Sequence, residues 1–186
     1  LNLISERGER DLFGYIKGNK KIKIVYLHAR EIIQRLGDES LDIGFSGYDL
    51  LKESELNVQK KVIINKKLDY GNATLVVAVP DEWIDVQTLA DLEEISFEFY
   101  KKKKRLMRVA TKFKNLSRDW FNDKGITQYE LISSLGATES SHIIGKSDLI
   151  VDLSSTGETL RQNNLRIVEV ILNSSACLFT SKKFPL

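Results

Sequence analysis

Apolar runs alternate with amphipathic stretches along this chain, in the order expected when strands alternate with helices. The run at residues 73–79 is apolar almost throughout, which indicates a strand buried on both faces, either central in a sheet or crossing between two sheets. Residues 149–151 form a shorter run of the same kind. The pattern predicts strands at residues 11–18, 21–27, 41–45, 61–65, 73–79, 107–110, 126–132, 149–151, 166–172 and 176–180.

The amphipathic stretches predict helices between these strands. Ile32, Ile33 and Leu36 recur at helical spacing, and Gly37 is a typical helix end. Further helices are expected from residue 48, from residue 85, at residues 117–122 and from residue 158. Strands and helices that alternate in this way predict an α/β protein whose sheets are covered on both faces.

Composition excludes several classes of protein. With a net charge of +2, the chain offers no electrostatic argument for binding nucleic acid. One cysteine and two histidines exclude an internal disulfide framework and a histidine-rich metal site. No apolar run approaches the roughly 20 residues of a transmembrane helix, and no signal peptide is visible, so we expect a cytoplasmic protein with no membrane contact. Residues 101–105 are all basic, and we interpret them as a solvated helix end, with Phe97 and Tyr100 facing inward.

Residues 149–160 combine a buried strand, an acid at its end, and a loop of hydroxyl residues before a helix. Loop N–H groups and a helix N-terminus direct partial positive charge at an anion, and Gly157 allows close backbone approach or a positive φ. Asp152 would repel a phosphate, so its expected partners are sugar hydroxyls or a bridging Mg²⁺. The stretch therefore predicts a site for a phosphorylated sugar. The same pattern is also typical of an ordinary strand-to-helix turn, and the missing Gly-Lys-Ser/Thr argues against a P-loop NTPase.

Three further turns carry candidate residues. Gly47 lies between a predicted strand and a predicted helix, as in many anion or nucleotide contacts, although a plain turn explains it equally well. Thr111 and Lys112 end another strand, at the sheet edge that faces ligands in open α/β folds. Glu139 is expected in the first turn of a helix, where an acid also complements the helix dipole.

Residues 152–160 resemble the phosphoribosyl pyrophosphate loop of ATP phosphoribosyltransferase, which shares the motif Asp-Leu-x-Ser-Thr-Gly-x-Thr-Leu. The resemblance extends over nearly the whole chain, because further blocks follow in the order in which the family has them. These blocks are residues 41–49, 68–71, 108–113, 115–116, 135–139, 164–170 and 175–178.

The resemblance implies a two-lobed α/β fold of the periplasmic-binding-protein-like type II class, with two crossing strands and a ligand cleft between the lobes. We expect the crossings at residues 80–84 and near Ser174. Lobe I, on the nucleotide side, would comprise residues 1–82 plus 175–186. Lobe II, on the phosphoribosyl pyrophosphate side, would comprise residues 83–174.

The activity implied by the resemblance is transfer of phosphoribosyl to N1 of ATP with release of pyrophosphate, the first step of histidine biosynthesis. Mg²⁺ is the expected cofactor, carried by the substrate without a dedicated protein cage, and no general base is identified. The phosphoribosyl pyrophosphate site implied by the family consists of Asp152, Ser154, Ser155, Thr156, Gly157, Glu158 and Thr159. Glu139, Thr111 and Lys112 would contact substrate or Mg²⁺, and Gly47, Tyr48 and Asp49 would border ATP.

Two other functions compete with this interpretation. A non-catalytic two-lobed binding module shares the fold logic, and fold does not fix function. A phosphoribosyltransferase with another acceptor base would usually carry two adjacent acids before the hydroxyls, whereas Asp152 is followed by Leu153 here.

The family also begins with a strand that ends in Lys-Gly-Arg, and this chain lacks that element, so we expect it to be trimmed at its N-terminus. It resembles the short form of the family, which lacks a C-terminal regulatory domain. That form implies a homo-oligomer and a hetero-oligomer with a regulatory subunit similar to histidyl-tRNA synthetase.

Overall fold

The computed structural model describes residues 3–5, 13–16, 19–134 and 136–184. Its strands are β1 Leu3–Ser5, β2 Phe13–Ile16, β3 Asn19–Val25, β4 Ile43–Gly47, β5 Val62–Lys67, β6 Ala73–Pro80, β7 Met107–Thr111, β8 Tyr129–Ser133, β9 Leu149–Ser154, β10 Leu165–Ser174 and β11 Ala176–Ser181. Its helices are α1 Ala29–Gly37, α2 Tyr48–Glu53, α3 Leu56–Gln59, α4 Leu89–Lys103, α5 Lys114–Asp123 and α6 Glu158–Gln162, with a 3₁₀ turn at Thr138–Ser140. This is the mixed α/β fold that the alternating pattern predicts.

A five-stranded sheet forms the larger part of the described structure, with strand order β10-β6-β9-β7-β8. β7 is parallel to β8 and β9, whereas β6 is antiparallel to β9 and β10. Within β6, residues 75–79 are at most 1% exposed, so the strand is buried on both faces as its apolar run predicts. Leu75, Val77 and Val79 pack on the side of α4 and α5, and Val76 and Ala78 pack against Leu160, Leu165 and their neighbours.

The second core lies between α1 and a three-stranded sheet with strand order β4-β11-β5. Ile33, Leu36 and Phe179 are almost completely buried there, which confirms the amphipathic pattern of the first helix. A separate sheet, β1-β2-β3, contains the predicted alternating strand near residues 21–27. The predicted turn around Gly18 and the outer parts of the strand at 11–18 lie outside the described residues.

The chain passes from the β4-β11-β5 sheet to the five-stranded sheet at residues 68–72, and it returns at Ser175. The sequence prediction places the second crossing near Ser174, the last residue of β10. The first is not at residues 80–84 as predicted, because all of β6 is hydrogen-bonded into the five-stranded sheet. Residues 73–80 therefore lie with the strands that we predicted for lobe II, although the predicted boundary at residue 82 assigns them to lobe I.

Two local differences have clear physical causes. α5 begins at Lys114, before the predicted residue 117, because the backbone N–H of Phe113 donates to Thr111 Oγ1 and starts the helix early. β8 begins only at Tyr129, since the predicted first residue, Ile126, is fully buried in the turn after α5, where its N–H donates to Phe121 O.

Candidate functional site

A polar cavity of about 90 Å³ opens at the carboxyl end of β9. It is bounded by the loop between β9 and α6 and by one residue from the 3₁₀ turn, Glu139. The lining residues are Glu139, Asp152, Leu153, Ser154, Ser155, Thr156, Gly157, Thr159 and Leu160. The cavity therefore brings together carboxylates, hydroxyls and loop backbone, which are the groups that a phosphorylated sugar requires.

Hydrogen bonds within the loop fix its shape. Ser154 Oγ accepts from Gly157 N at 2.9 Å, and Thr156 Oγ1 accepts from Glu158 N at 3.3 Å. Because each hydroxyl uses a lone pair in these contacts, its proton remains able to donate to a phosphate oxygen. Gly157 has φ +77°, which is one of the two alternatives that the sequence leaves open, and a Cβ added there would meet no atom within 4 Å. The glycine is therefore required by backbone conformation and not by crowding within the protein.

Asp152 lines the cavity, and burial raises the pKa of its carboxyl group. Leu153 N donates to its Oδ1 at 2.9 Å, and the nearby Lys112 and Thr138 partly offset that rise. The negative charge of Glu139, which lines the same cavity, raises this pKa further. Two carboxylates thus face one small polar space. An arrangement of this kind suits hydroxyl donors or a cation shared with the ligand.

The other predicted residues near this edge have different roles in the structure. Thr111 is 1% exposed, and its hydroxyl accepts from Phe113 N at 2.9 Å, so its side chain stabilises the start of α5 instead of facing the cavity. Lys112 is exposed and lies outside the cavity lining, although its charge acts on Asp152. The carboxylate of Glu158 is held along α6 by Arg161 at 2.6 Å and Gln162 at 3.0 Å, and it too lies outside the lining.

The predicted nucleotide turn is built around a buried carboxylate. Ser174 Oγ donates to Asp49 Oδ1 at 2.6 Å and accepts from Asp49 N at 3.0 Å. Asp49 is only 6% exposed, and a Cβ at Gly47 would approach its Oδ1 to 2.4 Å. The glycine therefore leaves room for Asp49, which ties α2 to the crossing at Ser174. Tyr48 is half-buried, with Lys67 Nζ 4.6 Å from its ring centroid.

The sequence analysis did not identify Glu53 and Arg30, whose side chains connect α2 and α1 to the segment that follows β7. Glu53, at the end of α2, accepts hydrogen bonds from backbone N–H groups at the start of α5. Arg30, in the first turn of α1, donates to Lys112 O at 3.3 Å. No local signal identifies either contact, because the partners lie 62 and 82 residues away in the sequence.

Within residues 3–5, 13–16, 19–134 and 136–184, no group of three or more His, Cys, Asp or Glu side chains could hold a metal ion. Glu139 and Asp152 at the cavity fit instead a magnesium ion that takes most of its ligands from a phosphorylated substrate and water. None of the helices in the described parts of the chain is long and apolar enough to span a bilayer.

Comparison with known proteins identifies the family. Residues 28–185 match the profile described as HisG: ATP phosphoribosyltransferase. The chain is 42% identical over 185 residues to an ATP phosphoribosyltransferase of Nitrobacter winogradskyi and 40% identical over 178 residues to one of Brucella melitensis. The chain belongs to the ATP phosphoribosyltransferase family. It spans 57% of the length of the Nitrobacter relative and 77% of that of the Brucella relative, while 98% and 94% of the chain is matched.

Solved structures agree with this membership. The ATP phosphoribosyl transferase (HisG:HisZ) complex from Thermotoga maritima matches with a TM-score of 0.73 and 26% identity, over 97% of this chain and 77% of that one. The ancestral amino-acid-binding protein AncCDT-1 matches with a TM-score of 0.55 and 17% identity, over 86% of this chain and 63% of that one. The second similarity concerns the fold alone, and it confirms the predicted periplasmic-binding-protein-like class for this family member.

Proposed function

We propose that this protein is an ATP phosphoribosyltransferase, which transfers phosphoribosyl from phosphoribosyl pyrophosphate to N1 of ATP in the first step of histidine biosynthesis. The observation that carries the proposal is the cavity at the end of β9, where the family's motif at residues 152–160 supplies most of the lining. A binding module for amino acids has no evident need for this combination of a partly buried acid and four clustered hydroxyls.

The loop is suited to hold the 5-phosphate of the ribose. We assign Ser154, Ser155, Thr156 and Thr159 as hydroxyl donors, with Gly157 letting the backbone approach the phosphate. Glu158 belongs to the predicted set, but its carboxylate is bound along α6, so we assign it only a backbone contribution. Four neutral hydroxyl donors can bind an anion without a cationic side chain at the site. No second charge then has to be removed from water.

Asp152 is suited to accept hydrogen bonds from the ribose hydroxyls. Burial raises the pKa of its carboxyl group, and hydrogen bonds from ribose hydroxyls would stabilise the ionised form. Glu139, from the 3₁₀ turn, would contact the same sugar or its metal ion. Lys112 and Thr111 would act at the edge of the site, the first through its charge and the second through the backbone turn that it stabilises.

Mg²⁺ is the proposed cofactor, and Asp152 and Glu139 are the residues that would hold it together with substrate oxygens. When bound, the ion would neutralise charge on the pyrophosphate leaving group. The protein's own contribution is to hold two anionic substrates in line and to exclude water from the reacting carbon. No covalent nucleophile is needed, because pyrophosphate is already a competent leaving group.

ATP would approach from the side of α2, where we assign Gly47, Tyr48 and Asp49 to the border of its site. The buried Asp49 acts there by fixing α2 to Ser174, which leaves Tyr48 as the side chain able to contact a base. We propose the two-lobed arrangement with the crossings at residues 68–72 and Ser175 as its hinge. We also propose homo-oligomers, a cytoplasmic location and assembly with a regulatory subunit similar to histidyl-tRNA synthetase. A HisG:HisZ complex among the similar structures supports the assembly with a second subunit.

An acceptor assay tests the function. The purified protein is incubated with Mg²⁺, phosphoribosyl pyrophosphate and either ATP or a panel of free purine and pyrimidine bases, and products are identified by mass spectrometry. Phosphoribosyl-ATP and pyrophosphate are expected, and omission of Mg²⁺ should abolish both. Turnover of another base but not ATP would refute the acceptor, and binding of phosphoribosyl pyrophosphate with no turnover of any acceptor would favour a binding module.

A further inference from the structure

Glu53 caps a helix that belongs to the other large sheet. Both of its carboxylate oxygens accept from Asn115 N at 3.1 Å, and Oε2 also accepts from Leu116 N at 3.0 Å. Asn115 Nδ2 in turn donates to Glu53 O at 2.8 Å. The side chain is nearly inaccessible, since Glu53 is 8% exposed. A buried carboxylate that accepts three hydrogen bonds from two backbone N–H groups is well satisfied at this position.

α5 has no cap of its own that could replace this contact. Its N-cap residue, Phe113, supplies no side-chain hydrogen bond, and the first turn contains no acidic residue. The first N–H groups of a helix lack partners within the helix and need an acceptor. Glu53 supplies that acceptor from α2, which follows β4 of the three-stranded sheet, whereas α5 follows β7 of the five-stranded sheet.

The segment that Glu53 holds lies next to the candidate site. Residues 111–113 connect β7 to α5, and Thr111 is paired in register with Val151, the residue before Asp152. Lys112 lies close enough for its charge to act on Asp152. Arg30 of α1 donates to Lys112 O. Side chains of α1 and α2, Arg30 and Glu53, therefore both contact the segment between β7 and the first turn of α5.

We propose that Glu53 is a positioning residue, which caps α5 across the two sheets and thereby holds residues 111–113 beside Asp152 in the geometry that binds phosphoribosyl pyrophosphate. This inference rests on the proposed function. The negative charge at the start of α5 also keeps substrate anions away from that helix end, so the 5-phosphate is directed to the loop at residues 154–159.

The other end of α2 has independent anchors. Asp49 is bound to Ser174, and Tyr48 N donates to Ser175 O at 3.0 Å. Removal of the Glu53 carboxylate should therefore disturb the start of α5 more than the proposed ATP border.

Kinetic comparison of three variants tests the proposal. Glu53→Ala should raise the KM for phosphoribosyl pyrophosphate about tenfold, while the KM for ATP stays within about twofold of the parent. Glu53→Gln should restore part of the loss, because its amide oxygen still accepts a hydrogen bond. Asp91→Ala is the matched control. Asp91 caps α4 by accepting from Thr88 N at 2.7 Å and Gln87 N at 3.0 Å, and among the described residues the hydrogen bonds to its carboxylate all come from residues 87 and 88.

Asp91→Ala should lower the melting temperature but leave both KM values unchanged. If Glu53→Ala also lowers only the melting temperature, Glu53 is a structural cap and the proposal is wrong. Should Glu53→Ala fail to fold, Glu53→Gln decides. Its KM for phosphoribosyl pyrophosphate should remain above that of the parent, because one accepting oxygen is lost. A KM and an affinity equal to those of the parent would contradict a positioning role.

Hydrogen exchange and calorimetry separate this proposal from the function on which it rests. The amides of Asn115 and Leu116 should be protected in the parent and exchange about tenfold faster in the Glu53 variants, but not in Asp91→Ala. Unprotected amides in the parent would overturn the contact itself. Calorimetric titration with phosphoribosyl pyrophosphate, without ATP, should show the same loss of affinity as the kinetics. Normal binding with no turnover of ATP would refute the function, and unchanged affinity in Glu53→Ala would refute the positioning role.

Discussion

The two ends of strand β9 each carry an aspartate, and their surroundings are opposite. Asp148 directly precedes the strand and is bound by Arg105 and Arg108, with Arg105 nitrogens 2.5 and 2.8 Å from its two oxygens. Arg108 N donates to the same carboxylate at 2.8 Å. Burial alone would raise the pKa of Asp148, but these hydrogen bonds outweigh it and hold the pKa at about 2.

Asp152, four residues later, is also partly buried, but its carboxylate accepts fewer hydrogen bonds than that of Asp148. Burial raises its pKa, and the principal hydrogen bond to its carboxylate comes from the neighbouring Leu153 N. The first aspartate is thus held by two arginines, whereas the second accepts a hydrogen bond from its neighbour Leu153. We therefore assign Asp148 a structural role and propose a ligand contact for Asp152.

The largest effect on stability is expected from Asp148→Asn. The change leaves two arginines without a charged partner, and the free energy of unfolding should fall by about 2–3 kcal/mol at neutral pH. Because the folded-state pKa lies below the ordinary 3.8, Asp148 stabilises the parent fully above about pH 4, and this contribution disappears as the pH falls towards 2. Urea unfolding between pH 2 and pH 7 measures both.

Asp148→Asn should remove that pH-dependent loss and leave affinity for phosphoribosyl pyrophosphate within about twofold of the parent. Equal stability of variant and parent at pH 7 would contradict the contrast between the two strand ends.

Asp152→Asn should show the reverse behaviour. Its folded-state pKa is raised, so the ionised carboxylate opposes folding once the pH rises above 3.8, and removal of the charge should leave stability at neutral pH unchanged or higher. Affinity for phosphoribosyl pyrophosphate should fall by about 1.5–3 kcal/mol, since a charge-assisted hydrogen bond is lost. Calorimetric titration measures the loss, with inorganic phosphate as the control ligand, whose binding should persist. A strongly destabilised variant would mean that Asp152 is structural in the same way as Asp148.

The smallest effect on stability is expected from Gly157→Ala, which tests the loop that follows Asp152. Gly157 and Gly125 have φ values of +77° and +76°, and neither would bring an added Cβ within 4 Å of another atom. Both substitutions should therefore cost about 1 kcal/mol of stability through backbone strain alone. Only Gly157→Ala should weaken binding of ribose 5-phosphate and phosphoribosyl pyrophosphate, because only that glycine lines the cavity. Thermal unfolding and calorimetry of the pair decide this, and equal ligand affinities would show that the loop is an ordinary turn.

Helix α4 shows where the apolar pattern was insufficient. We predicted that Phe97 and Tyr100 face inward, but they are 39% and 54% exposed, and Phe99 is buried instead. The helix phase follows from the capping box at Thr88 and Asp91 and from the burial of Leu92. Because three aromatic residues occur within four positions, the sequence supplied candidates for both phases, and packing selected one.

The sequence by itself determined the family motif, the order of the strands and helices other than β1 and α3, the buried strand β6 and the need for a glycine at position 157. Each depends on local composition and periodicity, or on a backbone requirement of a single residue. Tertiary structure alone decided that Asp148 forms ion pairs with two arginines while Asp152 has none among the described residues, that Asp49 is bound to Ser174, and that Glu53 caps α5. The partners of Asp148, Asp49 and Glu53 lie from 40 to 125 residues away, so chain topology and not the local pattern brings each pair together.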